Sequence, residues 1–177
     1  GYGGLELALR IVLGDNFRSV CYVEREAYAA ATLVSRMADK TLDAAPIWDD
    51  LTTFSGSEWR GIVDIISAGF PCQPWSVAGK RRQTEDDRWL WPYIAEIVRS
   101  SDPEWVFLEN VPGLARGGIQ HVLGDLALCG FNAEGDCFTA AQVGSPHLRE
   151  RLFILAHSYR RRSGGSVADS VGQRIRD

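Results

Sequence analysis

Short apolar runs alternate with amphipathic stretches along the first 156 residues, the pattern of an α/β sheet. Leu5, Ala8, Leu9 and Val12 fall on one helical face, Glu6 and Arg10 sit four apart on another, and Gly14 supplies a stop. Residues 20–23 read as a buried strand, and 25–37 as the helix that follows it. Further strands are predicted over 62–68, 105–108 and 152–156. Helices are predicted over 89–100, ended by Pro103, and over 113–128. The sheet implied by this alternation is mixed and mostly parallel.

The chain has 177 residues, 45% of them hydrophobic and 24% charged, enough for one domain with a sizeable core. A net charge of −4 excludes a basic coat over the whole surface. The charge is unevenly spread: residues 1–148 hold 12 basic and 20 acidic side chains, and 149–177 hold 7 basic and 3 acidic. Beyond Ala156 apolar periodicity ends, and Arg160-Arg161-Arg162 runs into Ser163-Gly164-Gly165-Ser166. Residues 157–177 are therefore expected to be a basic, flexible linker. No apolar run approaches the ~18 residues of a membrane helix, and no secretory leader is visible. Four widely spaced cysteines without a C-x-x-C point to a reduced, cytoplasmic-type protein. The opening on Gly1 without Met reads as a piece of something longer.

In open parallel sheets, ligands sit beyond the carboxyl ends of the strands. Glu24 follows the first apolar run, Gly69-Phe70-Pro71-Cys72-Gln73-Pro74-Trp75-Ser76 the second, and Glu109-Asn110-Val111-Pro112-Gly113 the third. Parallel strands would bring two carboxylates and a thiol to one sheet edge. Gly1-x-Gly3-Gly4 before a helix would let backbone N–H groups approach a ligand, and Glu24 follows at the spacing of a ribose-binding acid. Taken alone, such glycine turns and strand-end acids are more often merely solvated.

Two prolines around Cys72 give its backbone a defined, non-helical course. Most free cysteines are small buried hydrophobes, but Cys72 follows its strand instead of sitting inside it. A thiol near pKa ~8.5 needs positive charge or a donor to act as a nucleophile; Lys80, Arg81, Arg82, Arg149 and Arg151 are candidates. Glu109 has two readings. Partial burial would raise its pKa and make it a proton donor, or it caps the next helix. Arg149-x-Arg151 is either a solvated cluster or a pair aimed to one face of an extended chain, suited to an anion or a carboxylate. The three His and the remaining Cys lack paired metal-ligand spacing, so no metal is expected. A Cys-His hydrolase lacks a convincing base.

Taken in order, these motifs resemble those of the cytosine-C5 DNA methyltransferases. The likeness is close for Gly69 to Ser76 with Gly79-Lys80-Arg81 and for Glu109-Asn110-Val111. It is recognisable for Gly3-Gly4, Glu24, Asp50-Leu51 and Gly144-x-Pro146-His147-x-Arg149-x-Arg151, and it spans residues 1–156. The resemblance implies a Rossmann-like S-adenosylmethionine-dependent fold lacking its first strand and truncated at both ends. It implies cofactor contacts from Gly3, Gly4, Glu24, Asp50, Leu51, Pro71 and Leu90. Cys72 would be the nucleophile, Glu109 the acid at pyrimidine N3, and Arg151, helped by Arg149, the orienting group. Ser76, Lys80 and Arg81 would lie on the loop that meets DNA.

The implied partner is double-stranded DNA, with the target base flipped out of the helix. A cognate restriction endonuclease and a monomeric state go with that reading. His147 stands where the family usually has Gln. The target-recognition region is expected to follow residue 177. The rival readings are a tRNA-acting branch of the same family and a non-catalytic DNA-binding remnant.

Overall fold

The computed structural model describes residues 1–71 and 89–159, which form two compact units, 1–51 and from 52 onward. The first unit opens with helix α1 (Gly4–Leu13), ended at Gly14 as its sequence requires. The apolar positions of α1 are not all covered: Leu13 is buried, whereas Ile11 and Val12 are exposed. Strand β1 (Tyr22–Val23) pairs in parallel with β2 (Ile47–Trp48), and helix α2 (Ala27–Ala38) connects them. Glu26 starts α2 by accepting hydrogen bonds from Tyr28 N and Ala29 N. The core of this unit is small, with Tyr22, Leu33 and Leu42 at its centre and Met37, Ala45 and Ile47 around them.

The second unit is larger. Its four-stranded sheet runs in the order β3 (Ile65–Gly69), β4 (Trp105–Asn110), β6 (Glu150–Ser158), β5 (Phe131–Thr139). β3 and β4 are parallel, while β6 is antiparallel to both β4 and β5. The sheets are therefore mixed, with the parallel pairings at β1–β2 and β3–β4. The strand expected over 62–68 begins only at Ile65, because the Asp64 carbonyl accepts from both Glu104 N and Trp105 N and so falls outside the regular ladder.

Helix α3 (Trp91–Ser101) precedes β4, and the helix expected over 113–128 is two: α4 (Pro112–Gly117) and α5 (Ile119–Leu128). The break falls at Gly117-Gly118, two poor helix formers in succession.

Side chains alternate across this sheet. Val106, Leu108, Leu152, Ile154 and Ala156 are buried, in a core shared with Trp91, Ile94 and Val98 of α3, Leu114 of α4, and Val122 and Leu126 of α5. The other face carries Phe107, Glu109, Arg151 and Phe153, all half-buried. No helix among the described residues is long and apolar enough to cross a membrane.

Candidate active site

In the first unit the carboxyl ends of β1 and β2 lie at one edge, since Val23 pairs with Trp48 in parallel register. Glu24 follows β1 directly, and its N–H donates to the Trp48 carbonyl at 2.9 Å. Asp50 and Leu51 follow β2 at the same edge, both half-buried. One Glu24 carboxylate oxygen accepts from Glu26 N at 2.7 Å, and the other faces the amino group of Gly1.

Gly3 turns the chain into α1 with φ +77°, a left-handed conformation. A Cβ there would lie 2.4 Å from Leu42 Cδ1, so both the turn and the packing require glycine. Gly4 is exposed, and no side chain caps the first turn of α1. A loop that brings backbone close, an open helix N-terminus and a strand-end carboxylate suit a nucleoside bearing an anionic group.

The second unit assembles the other candidates. The β3–β4 register sets Gly69 opposite Glu109, so both strands end at the same edge. A Cβ on Gly69 would come within 3.2 Å of Glu109 Oε2, and the missing side chain leaves room for the carboxylate. Glu109 Oε1 accepts from Arg151 Nε at 2.8 Å, with both side chains about one-quarter exposed. β4 and β6 pair antiparallel with Glu109 opposite Phe153, which makes Arg151 the diagonal neighbour on the same face.

Glu109 is therefore held by a guanidinium and does not cap α4, whose N-cap Val111 has no side-chain cap bond. Of the two readings of Arg-x-Arg, the carboxylate-orienting one describes Arg151. Arg149 lies just before β6, exposed, and its carbonyl accepts from Ala140 N at 2.8 Å.

Pro71 follows β3 at this edge, and Leu90 is the N-cap of α3. Cys72, Ser76, Lys80 and Arg81 lie outside the described residues. His147 sits in the β5–β6 connection, its Nε2 3.1 Å from Ser145 Oγ. Among the described residues, no group of three His, Cys, Asp or Glu could hold a metal ion.

Asn110 gains a role that sequence reasoning left unassigned: its side-chain amide donates to the Phe70 carbonyl at 3.0 Å, with Asn110 and Phe70 both buried. The signal available was its place one residue past a strand-end acid. Its partner could not be known before β3 was set beside β4.

Comparison with known proteins fits this geometry. The family described as C-5 cytosine-specific DNA methylase matches residues 1–167. The chain is 31% identical over 160 residues to the type II methyltransferase M.NgoMIV of Neisseria gonorrhoeae, covering 88% of this chain and 49% of that protein. It is 35% identical over 164 residues to the type II methyltransferase M.PspPI of Psychrobacter sp. (strain TA137), covering 88% and 37%.

Among solved structures, the Dnmt2 methyltransferase of S. pombe superimposes with a TM-score of 0.71 at 22% identity, over 98% of this chain and 52% of that one. A putative DNA modification methyltransferase encoded within an E. coli prophage gives 0.71 at 22%, over 94% and 47%. These structures establish the fold, that of S-adenosylmethionine-dependent methyltransferases. The chain spans about half the length of such relatives, or less.

Proposed function

Since the chain belongs to the C-5 cytosine-specific DNA methylase family, we propose that it carries the catalytic part of an enzyme that methylates carbon 5 of cytosine in double-stranded DNA. The observation that carries this reading is the Glu109–Arg151 pair at the end of β4, opposite the end of β3, from which the sequence runs through Pro71 to Cys72.

Carbon 5 of cytosine is a weak nucleophile, and the roles proposed for the chain's residues overcome that. The Cys72 thiolate adds to carbon 6, forming a C–S bond, while the Glu109 carboxyl gives its proton to N3. The ring becomes an enamine with a nucleophilic carbon 5. S-adenosylmethionine, when bound, supplies the electrophilic methyl group. After methylation the carbon 5 proton passes to a base, the ring double bond re-forms as the Cys72 sulfur leaves, and N3 returns its proton to Glu109. Arg151 orients Glu109, and Arg149 assists in neutralising charge beside the base. A stacked base cannot be attacked at carbon 6, so the nucleotide is flipped out of the duplex.

Glu24 is suited to accept the ribose hydroxyls of the cofactor, with Gly3, Gly4 and the start of α1 beside it. Asp50 and Leu51 would meet the adenine, and Pro71 and Leu90 would line the pocket. Ser76, Lys80 and Arg81 would contact DNA phosphates. The catalytic part in this reading runs to Ser158, because His157 and Ser158 are the last residues of β6 and not the start of the expected linker. The residues after it lead toward a target-recognition region. The likeness to type II methyltransferases supports a restriction endonuclease as the functional partner, and a monomeric, cytoplasmic enzyme completes the proposal.

The test uses the full gene product that contains residues 1–177, S-adenosylmethionine with a tritiated methyl group, and duplex DNA. Label recovered as 5-methylcytosine is expected. Label on tRNA in place of duplex DNA overturns the substrate, and no transfer to either overturns the activity.

A further inference from the structure

The backbone ladder between β3 and β4 stops at the pair Gly69–Glu109. One residue further on, the Asn110 side chain takes over: its Nδ2 donates to the Phe70 carbonyl at 3.0 Å. Its Oδ1 accepts from Val111 N at 2.9 Å, so the amide is used at both ends and its plane is fixed. With Asn110 only 4% and Phe70 7% exposed, water cannot readily replace this bond.

The Phe70 ring is held as firmly as its carbonyl. It packs against Trp89 and Trp91, with ring centroids 6.1 and 5.7 Å away. Trp91 is itself hooked, its indole N–H donating to Asp125 Oδ2 at 2.7 Å. Phe70 is thus gripped from β4 through its backbone, and from the residues that open α3 through its ring.

The chain neighbours of the two bonded residues give this arrangement its meaning. The backbone of Asn110 continues from Glu109, the proposed acid. The backbone of Phe70 continues through Pro71 to Cys72, the proposed nucleophile. A single side-chain amide therefore joins the segment that bears the acid to the segment that leads to the sulfur.

We propose that Asn110 is a positioning residue for methyl transfer, fixing the spacing between the Glu109 carboxyl and the Phe70–Pro71 backbone from which Cys72 follows. The inference rests on the roles of Cys72 and Glu109 given above. Addition to carbon 6 needs sulfur and proton donor on one ring together, and a misplacement of about 1 Å costs on the order of 10²-fold in rate. Most of the cofactor contacts proposed above, Gly3, Gly4, Glu24, Asp50 and Leu51, belong to the first unit, so cofactor affinity is expected to change less than trapping.

The test replaces the donor without changing the shape, as Asn110→Asp, with Asn110→Ser as a second variant, in the full gene product. Two quantities are read: the rate of covalent trapping on duplex DNA containing 5-fluorocytosine, and the affinity for S-adenosylmethionine by calorimetry. Trapping slowed about 10²-fold, with cofactor affinity within about threefold of the parent, is expected for at least one variant. Trapping at the parental rate in both variants overturns the proposal. Loss of cofactor affinity in step with trapping in both variants also overturns it, since Asn110 would then serve folding alone. Cys72→Ser, run alongside, separates the premises: if it still traps, the assignment of Cys72 fails, whatever the Asn110 variants do.

Discussion

In residues 1–51 two strands of two residues each, with a core centred on three side chains, carry Gly3, Glu24 and Asp50. From residue 52 onward, strands of five to nine residues carry Glu109 and Arg151 in register over a far larger core. The first unit holds its candidates through turns: a left-handed glycine, a strand-end acid bonded to the next turn, and a residue just past a short strand. The second holds them through a ladder, an ion pair and a buried amide. Chemistry on a ring demands fixed distances, and it is proposed where the sheet is deepest. Binding of a flexible cofactor demands less, and it is proposed where the scaffold is thin.

The sharpest test of that division is kinetic. Glu109→Gln keeps the shape but removes the proton, and turnover should fall by roughly 10²–10⁴-fold with cofactor affinity unchanged. Steady-state rates with calorimetry check it, and a matching loss of affinity would erase the distinction between the units. Glu24→Ala should do the reverse: about 30- to 100-fold weaker S-adenosylmethionine binding, on the order of 2–3 kcal/mol, with turnover at saturating cofactor little changed.

Gly3→Ala tests how thin the first unit is. Its methyl group meets Leu42 and its backbone is left-handed. A loss of about 1–3 kcal/mol in urea unfolding is expected, with protection lost first in α1 and α2 by hydrogen exchange.

The smallest effect is alkaline. Burial raises the Cys21 thiol, partly offset by its hydrogen bond to the Tyr22 carbonyl, and burial likewise raises the neighbouring Tyr22 phenol. Both groups ionise more readily in the unfolded chain. Their contribution to stability is therefore complete below the ordinary values of 9.0 and 10.0 and is lost as pH rises through the higher folded ones. Hydrogen exchange between pH 8 and 11, with the intrinsic rate corrected, should show β1 loosening as pH rises, less so in Cys21→Ala.

Much of the second unit was legible in the sequence because its apolar runs are long. The alternation through Trp105 to Leu108 and the helix ended at Pro103 emerge where expected. β2 escaped notice because two residues after Pro46 carry no period. β5 escaped because Gly135 and the charges of Glu134 and Asp136 blur an alternation that Phe131, Ala133 and Cys137 keep.

Glu24, Glu109 and Pro71 could be singled out because each follows an apolar run, and position relative to a strand end is written in the sequence. What Asn110 touches is not, since its partner lies 40 residues away and depends on which strands are neighbours. Arg149 and Arg151 looked equivalent by parity. β6 begins at Glu150, and only Arg151 lies within the ladder, beside Glu109.

The most direct measurement uses the full gene product with S-adenosylmethionine and a duplex whose target cytosine carries fluorine at carbon 5. With no proton to lose there, the methylated ring cannot release the enzyme. A protein–DNA adduct is expected that survives denaturation, maps by mass spectrometry to the peptide containing Cys72, and is absent in Cys72→Ser. An adduct of undiminished yield in Cys72→Ser, or one mapping to another residue, would contradict it.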